Sequence, residues 1–218
     1  PGVDITAGLA RHYPQGPQAV HALGYVGRID DKALKVLDSS NYRGTSHVGK
    51  NGIEKTYEEL LHGKVGLQQV ETTAQGRIIR VLDSTPPVSG RNLYLTIDSR
   101  VQATAEAAFG DFSGSAIALD PHNGDILAFV SLPTYDPNPF VNGIDYDDYA
   151  ALRNDDKEPL VNRALRGQYP PGSTVKPFMG LAGLETGITG GHSRTYCPGF
   201  YMLPGKDRKY RDWKRTGH

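Results

Sequence analysis

One cysteine, two methionines and one tryptophan are spread over 218 residues. A lone cysteine, Cys197, excludes a disulfide within the chain and with it the disulfide-framework class of small domains. Charge of one sign is also missing, since 24 Lys and Arg balance 24 Asp and Glu for a formal net charge of zero. A nucleic-acid binder would show a basic stripe, and an acidic disordered tail the opposite run. No apolar run approaches the roughly 18 residues that suggest a membrane span. The sequence opens Pro1-Gly2-Val3 without an initiator methionine or signal peptide, and it stops at Gly217-His218 after a charged stretch. We expect it to be an internal segment of a longer protein.

Glycine and proline, in contrast, are plentiful. Gly (26) and Pro (15) make up almost a fifth of the chain, against a usual combined share of about 12%. The fold should be loop-rich, with 38% hydrophobic residues available for a core. A polar Pro/Gly stretch, Asp83-Ser84-Thr85-Pro86-Pro87-Val88-Ser89-Gly90, reads as a seam and hinge. It divides the chain into an expected first domain, 1–88, and a second, 89–218.

Before the seam, Gly24-Tyr25-Val26-Gly27 and Gln69-Val70-Glu71-Thr72 read as strands. Residues 53–62 read as one helix, with Ile53, Tyr57, Leu60 and Leu61 on a face and Gly63 as its stop. After it, Leu93-Tyr94-Leu95-Thr96-Ile97 alternates like a strand, and Asp98 or Ser99 offers an N-cap for a helix through Phe109. Two apolar strands, 116–119 and 126–130, flank Asp120-Pro121-His122-Asn123-Gly124, whose Asn-Gly pair signals a hairpin. Phe109, Phe112 and Phe129 read as core, and the acidic stretch 145–148 as a solvated helix or loop. A further helix is expected from Ser173 to Glu185 or Thr186, with Gly187 beyond its end. The class is α+β, with helices laid on antiparallel sheet.

The chemistry is concentrated in Tyr169-Pro170-Pro171-Gly172-Ser173-Thr174-Val175-Lys176-Pro177. Two prolines and a glycine set a rigid entry to the helix, and Pro177 is early enough to be tolerated in its first turn. Ser173 and Lys176, three apart, share a helix face, so an amine can reach a hydroxyl. A serine needs such a partner, because its free hydroxyl is a poor nucleophile at neutral pH. A lysine in a partly desolvated cleft loses its charge more readily and can act as the base. A bare Ser-x-x-Lys also arises by chance, with Ser173 as a simple N-cap. The apolar continuation Phe178, Met179, Leu181, Ala182 and Leu184 favours catalysis, because it is expected to bury the helix and fix its first turn.

This segment resembles the active-site motif of class B penicillin-binding proteins, in particular the penicillin-binding protein 2 type of cell elongation. The resemblance runs through the chain. Arg11-His12-Tyr13-Pro14, Gly24-Tyr25-Val26-Gly27 and Gly49-Lys50-Asn51-Gly52-Ile53-Glu54 resemble the family's non-catalytic pedestal. Asn92-Leu93-Tyr94-Leu95-Thr96-Ile97-Asp98 resembles the entry to its transpeptidase domain, and Asn162-Arg163-Ala164 part of the run-in to the nucleophile. What the resemblance implies is a serine acyl-enzyme. Ser173 would attack the penultimate D-alanine carbonyl of a peptidoglycan stem peptide, with Lys176 as base, and β-lactams would be trapped on the same serine. It further implies a single N-terminal anchor in the inner membrane, a periplasmic catalytic part, and a membrane glycosyltransferase and scaffold proteins as partners.

The family's second and third motifs lie downstream of the nucleophile. Ser39-Ser40-Asn41 has the letters of the second but lies upstream, and we read it as loop chemistry. Arg215-Thr216-Gly217 imitates the third but comes too early. Alone, the chain should therefore be inactive.

Cys197, Asp212 and His218 are all zinc-ligand types, but their spacing is not that of a zinc finger. Bare, a lone cysteine before Pro198 reads as a small packing residue. The resemblance implies a structural zinc near the active site, held by these three and a fourth ligand beyond His218. Catalysis would need no cofactor. Two rivals remain open at this point. One is a serine-lysine D,D-carboxypeptidase or β-lactam sensor, which the pedestal motif argues against. The other is a non-enzymatic cell-wall interaction module. A Ser-His-Asp triad from the scattered histidines would require coincidence.

Overall fold

The structure, a computed structural model, describes residues 9–217. The chain forms two compact units, Pro1–Gly167 and Gln168–His218. The first holds α1 (Val20–Leu23), β1 (Val26–Arg28), α2 (Asp31–Leu34), β2 (His47–Gly49), α3 (Gly52–Thr56) and α4 (Glu58–His62). It continues with β3 (Leu67–Thr72), β4 (Ile78–Thr85), α5 (Ser99–Ala108), β5 (Gly114–Leu119) and β6 (Ile126–Leu132). It ends with α6 (Asn138–Asn142), α7 (Tyr146–Asn154) and α8 (Arg163–Arg166). Among the described residues its strands pair as antiparallel two-stranded ribbons, β1 with β2, β3 with β4 and β5 with β6. The class is α+β, as the sequence indicates.

Several elements follow from local chemistry. Asp98 caps α5 by accepting from the Arg100 and Val101 N–H groups, at 2.8 and 3.3 Å. The Asn-Gly turn closes β5 onto β6, with Gly124 at φ 83° and its N–H on the Asp120 carbonyl. Asp145 caps α7, and Tyr146 at its start is 78% exposed, so the acidic stretch is a solvated helix.

Other expectations are corrected. The helix at 53–62 is broken at Tyr57 (φ −108°, ψ 20°) into α3 and α4. Its apolar face is only partly covered, and the buried residue of α3 is Glu54, 6% exposed. The Glu54 carboxylate accepts from Arg11 Nε at 2.6 Å and from the Tyr13 hydroxyl at 3.2 Å, while that hydroxyl accepts the Val26 N–H at 2.8 Å. Burial and the Glu54 charge push the Tyr13 phenol above its usual range, so it stays a donor. Residues 93–97 run outside any ladder among the described residues. The chain is fastened near the end of that run by Thr96 Oγ1 on the Ile126 carbonyl and by the Asp98 N–H on the Leu127 carbonyl. Alternation alone cannot supply the strand neighbour that a ladder needs. Phe129 is buried as expected, but Phe112 is 80% exposed. It follows the helix stop at Gly110, where little of the described chain covers it.

The core of this unit is small and aromatic. Val20, Tyr135 and Phe140 are buried together, with Tyr25, Ile144, Leu152 and Leu160 against them. Polar pins do much of the remaining positioning. Gln102, fully buried, accepts the Phe129 N–H at 2.7 Å and donates to the Phe129 carbonyl at 2.9 Å. Its amide also donates to Glu106 at 2.7 Å, and Glu106 accepts the Ala19 N–H at 2.9 Å. Asn138 brackets Tyr13 in the same way, through both its N–H and its carbonyl. Asn41, in the imitation of the second motif, holds the Gly63 carbonyl, the Val65 N–H and a His62 nitrogen, which makes it a loop tie.

Two outcomes follow. Gln102→Leu strands the backbone N–H and carbonyl of Phe129 and should lower unfolding free energy by about 2–4 kcal/mol, read as a lower urea midpoint at unchanged slope. His21 is the second case. Desolvation lowers its pKa most and the Arg163 charge adds to this, while the Pro133 and Pro159 carbonyls and Glu106 oppose it. The unfolded chain therefore takes up this proton near pH 6.5 and the folded chain only at lower pH. The contribution is complete above that unfolded value and is lost as pH falls toward the folded one. His21→Gln should flatten that part of the stability-against-pH curve, and an unchanged slope would refute the assignment.

Candidate functional site

The second unit opens on the Ser-x-x-Lys segment. Pro171 sits at φ −69°, ψ −23°, and Gly172 follows in the left-handed region at φ 54°. Nothing lies within 4 Å of where a Cβ on Gly172 would be. Backbone strain, not crowding, therefore makes glycine the fitting residue there. Residues Gly172–Val175 form a 3₁₀ turn that runs directly into α9 (Lys176–Glu185). The Thr174 N–H and hydroxyl both donate to the Pro171 carbonyl, and the Lys176 N–H to the Ser173 carbonyl. Pro177 lies in the first turn of α9, where no intrahelical donor is lost.

The expected helix thus starts as a 3₁₀ turn. Ser173 lies in that turn and Lys176 opens α9, so the two, three positions apart, fall on one face of the junction. Both are exposed, and no hydrogen bond joins the hydroxyl to the ammonium among the described residues. The Ser173 N–H precedes the turn's first hydrogen bond, so it is one of the donors that a helix start leaves open to an incoming oxygen.

The apolar continuation of α9 is not buried, contrary to expectation. Phe178, Met179 and Leu181 are 70%, 64% and 60% exposed. A unit of about fifty residues encloses too little volume to bury such a helix by itself.

After α9 the chain forms an antiparallel ribbon of β7 (Phe200–Met202) and β8 (Lys209–Arg211), with Phe200 opposite Arg211. This register brings the flanking Cys197 and Asp212 together, with Sγ to Oδ2 at 3.8 Å. Just outside the ribbon the backbones interlock. A Cβ on Gly217 would collide with the Cys197 carbonyl, and one on Gly199 with the Arg215 carbonyl. Sequence reading missed these two glycines, although Cys-Pro-Gly and Thr-Gly were available as signals. His218 lies outside the described residues. Among the described residues no third His, Cys, Asp or Glu completes a metal cluster.

The pair nevertheless fits a tetrahedral ion. Zinc–sulfur and zinc–oxygen bonds near 2.3 and 2.1 Å at the tetrahedral angle separate the two donors by about 3.6 Å.

In the first unit, the run-in residues are fixed by side chains. The Arg163 N–H donates to buried Ser131 Oγ at 2.9 Å, and Asn162 Nδ2 to the His21 carbonyl at 2.8 Å. Asn162 Oδ1 also caps α8 through the Leu165 N–H at 3.1 Å.

Comparison with known proteins divides the chain earlier than the 167/168 boundary of its compact units. Residues 1–95 match the penicillin-binding protein dimerisation domain and residues 114–218 the penicillin-binding protein transpeptidase domain. A peptidoglycan D,D-transpeptidase MrdA of Acinetobacter baumannii is 46% identical over 218 residues, covering all of this chain and 32% of that protein. The crystal structure of Pseudomonas aeruginosa PBP2 in complex with WCK 5153 aligns at a TM-score of 0.82 and 49% identity, over 96% of this chain and 42% of that one. The PBP2 of Helicobacter pylori in its complex with MreC aligns at 0.83 and 37% identity, over 96% and 38%. The chain thus spans about a third of the length of the curated relatives it matches. It belongs to the penicillin-binding proteins, and among them to the penicillin-binding protein 2 type.

Proposed function

We propose that the protein carrying this chain is a peptidoglycan D,D-transpeptidase of cell elongation, with Ser173 as nucleophile and Lys176 as its base. The observation that carries this reading is the Ser-x-x-Lys pair across the 3₁₀–α junction, inside the region that matches the transpeptidase domain. Ser173 Oγ attacks the carbonyl of the penultimate D-alanine, and its proton passes to Lys176 Nζ. The Ser173 N–H helps to stabilise the oxyanion. As the tetrahedral intermediate collapses, the bond to the terminal D-alanine breaks and that residue leaves with the proton. An amine of a neighbouring stem then attacks the ester, frees Ser173 and completes the crosslink. A β-lactam acylates the same oxygen, but its leaving group stays tethered.

The remaining assignments belong to the same reading. The stretch 83–90 divides a pedestal, 1–88, from the transpeptidase part, 89–218. The two domain matches support two parts in this order, the first running to residue 95 and the second from 114. A zinc ion held by Cys197, Asp212 and His218, with one ligand from farther along the chain, would tie the segment after α9 in place without taking part in the reaction. The working location is the periplasmic face of the inner membrane, with one N-terminal anchor. Among the described residues no helix is long and apolar enough to cross a membrane. The Helicobacter pylori relative solved with MreC supports a scaffold partner of that kind, alongside a membrane glycosyltransferase.

Transfer is distinguished from hydrolysis in the full-length protein by offering a stem-peptide donor with and without an acceptor amine. Crosslinked product should dominate over released acid, and Lys176→Ala should slow acylation by about 10²–10⁴-fold. Release of acid alone would favour a carboxypeptidase. For the metal, Cys197→Ala and Asp212→Ala should each lower the zinc bound per chain, and equal zinc in wild type and both variants would dismiss the site.

A further inference from the structure

Asparagine followed by glycine is the sequence most prone to lose its side-chain amide, because an unhindered glycine nitrogen can attack the neighbouring side-chain carbonyl. This chain has three such pairs, Asn51-Gly52, Asn123-Gly124 and Asn142-Gly143. The fold treats them very differently.

Asn51 Oδ1 accepts the Tyr25 N–H at 3.0 Å. Gly52 is crowded, since a Cβ there would lie 2.6 Å from the Gly24 nitrogen and 2.7 Å from the Ala22 oxygen. Asn123 is tied at both ends to Asp125, with Oδ1 accepting its N–H and Nδ2 donating to its carboxylate, each at 2.9 Å. The attacking nitrogen is engaged as well, because the Gly124 N–H donates to the Asp120 carbonyl at 2.8 Å. Asn142, the last residue of α6, is exposed, and its amide makes no hydrogen bond among the described residues. Gly143 stands at φ 104° with no atom within 4 Å of a Cβ position, so a five-membered ring has room to close there.

We propose that Asn142 is a spontaneous modification site of the folded protein, converted through a succinimide to aspartate and isoaspartate. The Gly143 nitrogen, having lost its proton to solvent base, forms a bond to Asn142 Cγ. The Cγ–Nδ2 bond breaks and ammonia leaves. Water then opens the ring at either carbonyl, giving aspartate or an isoaspartyl link whose backbone is one carbon longer. Either product adds a negative charge beside Asp145, Asp147 and Asp148 at the start of α7. The isoaspartyl form also lengthens the connection from α6, which carries buried Phe140 and Val141, to α7.

The test is peptide mapping by mass spectrometry during incubation of the purified protein in mildly alkaline buffer, with an isoaspartate assay in parallel. Asn142 should convert about tenfold or more faster than Asn51 and Asn123, whose held side chains must first break free. In urea the three rates should converge. The Asn142→Gln variant should remove the early isoaspartate signal. Equal or faster conversion at Asn51 or Asn123 in the folded protein would overturn the proposal. So would a ranking that persists after unfolding.

Discussion

In the first unit a side-chain amide stands where a strand neighbour would otherwise be. Gln102, on α5, satisfies both the N–H and the carbonyl of Phe129 in β6, a residue that lies among the buried run of that strand. A carboxamide carries the same donor and acceptor as a peptide unit, so it can complete a strand's hydrogen bonding from a helix. The same amide donates to Glu106, which holds the Ala19 N–H at a left-handed turn just before α1. One buried polar group therefore fixes α5 against β6 and the N-terminal segment against both.

The other constraints of this unit have the same character. Glu54 is buried because Arg11 and Tyr13 supply it with donors, and Tyr13 in turn is bracketed by Asn138. A buried carboxylate without those donors would be strongly destabilising. Pins of this kind explain how a unit with a three-residue buried cluster holds a defined arrangement. Hydrophobic burial supplies drive, and the polar pins select register. Asn162 and Ser131 extend the scheme to the residues that lead into the nucleophile segment.

What could be read from sequence was the short-range part. The Asp98 cap, the Asn-Gly hairpin, the helix after Ser173 and the class B motif all depend on residues within a few positions of one another. The misreadings share a cause. Periodicity over 53–62 could not reveal that Glu54 would be drawn inward by Arg11 and Tyr13, forty-odd positions earlier. Alternation over 93–97 had no means of showing whether a neighbouring strand exists. The apolar stripe of α9 marks a face that can be buried, but burial needs a covering element that this unit does not provide. The pairing of Cys197 with Asp212 depended on a ribbon register, which side-chain type alone does not set.

At the site itself, the sequence supplies the residue types and the backbone supplies their alignment. Pro171 and Gly172 start a 3₁₀ turn that carries Ser173, and the helix it runs into opens on Lys176. The central claim is that this serine is the acylated atom's owner, and localising a penicillin adduct tests it most directly. Full-length protein treated with a fluorescent penicillin and digested should yield one labelled peptide, with the adduct on Ser173 and no label in Ser173→Ala. An adduct on another residue, or labelling that survives in Ser173→Ala, would contradict the account.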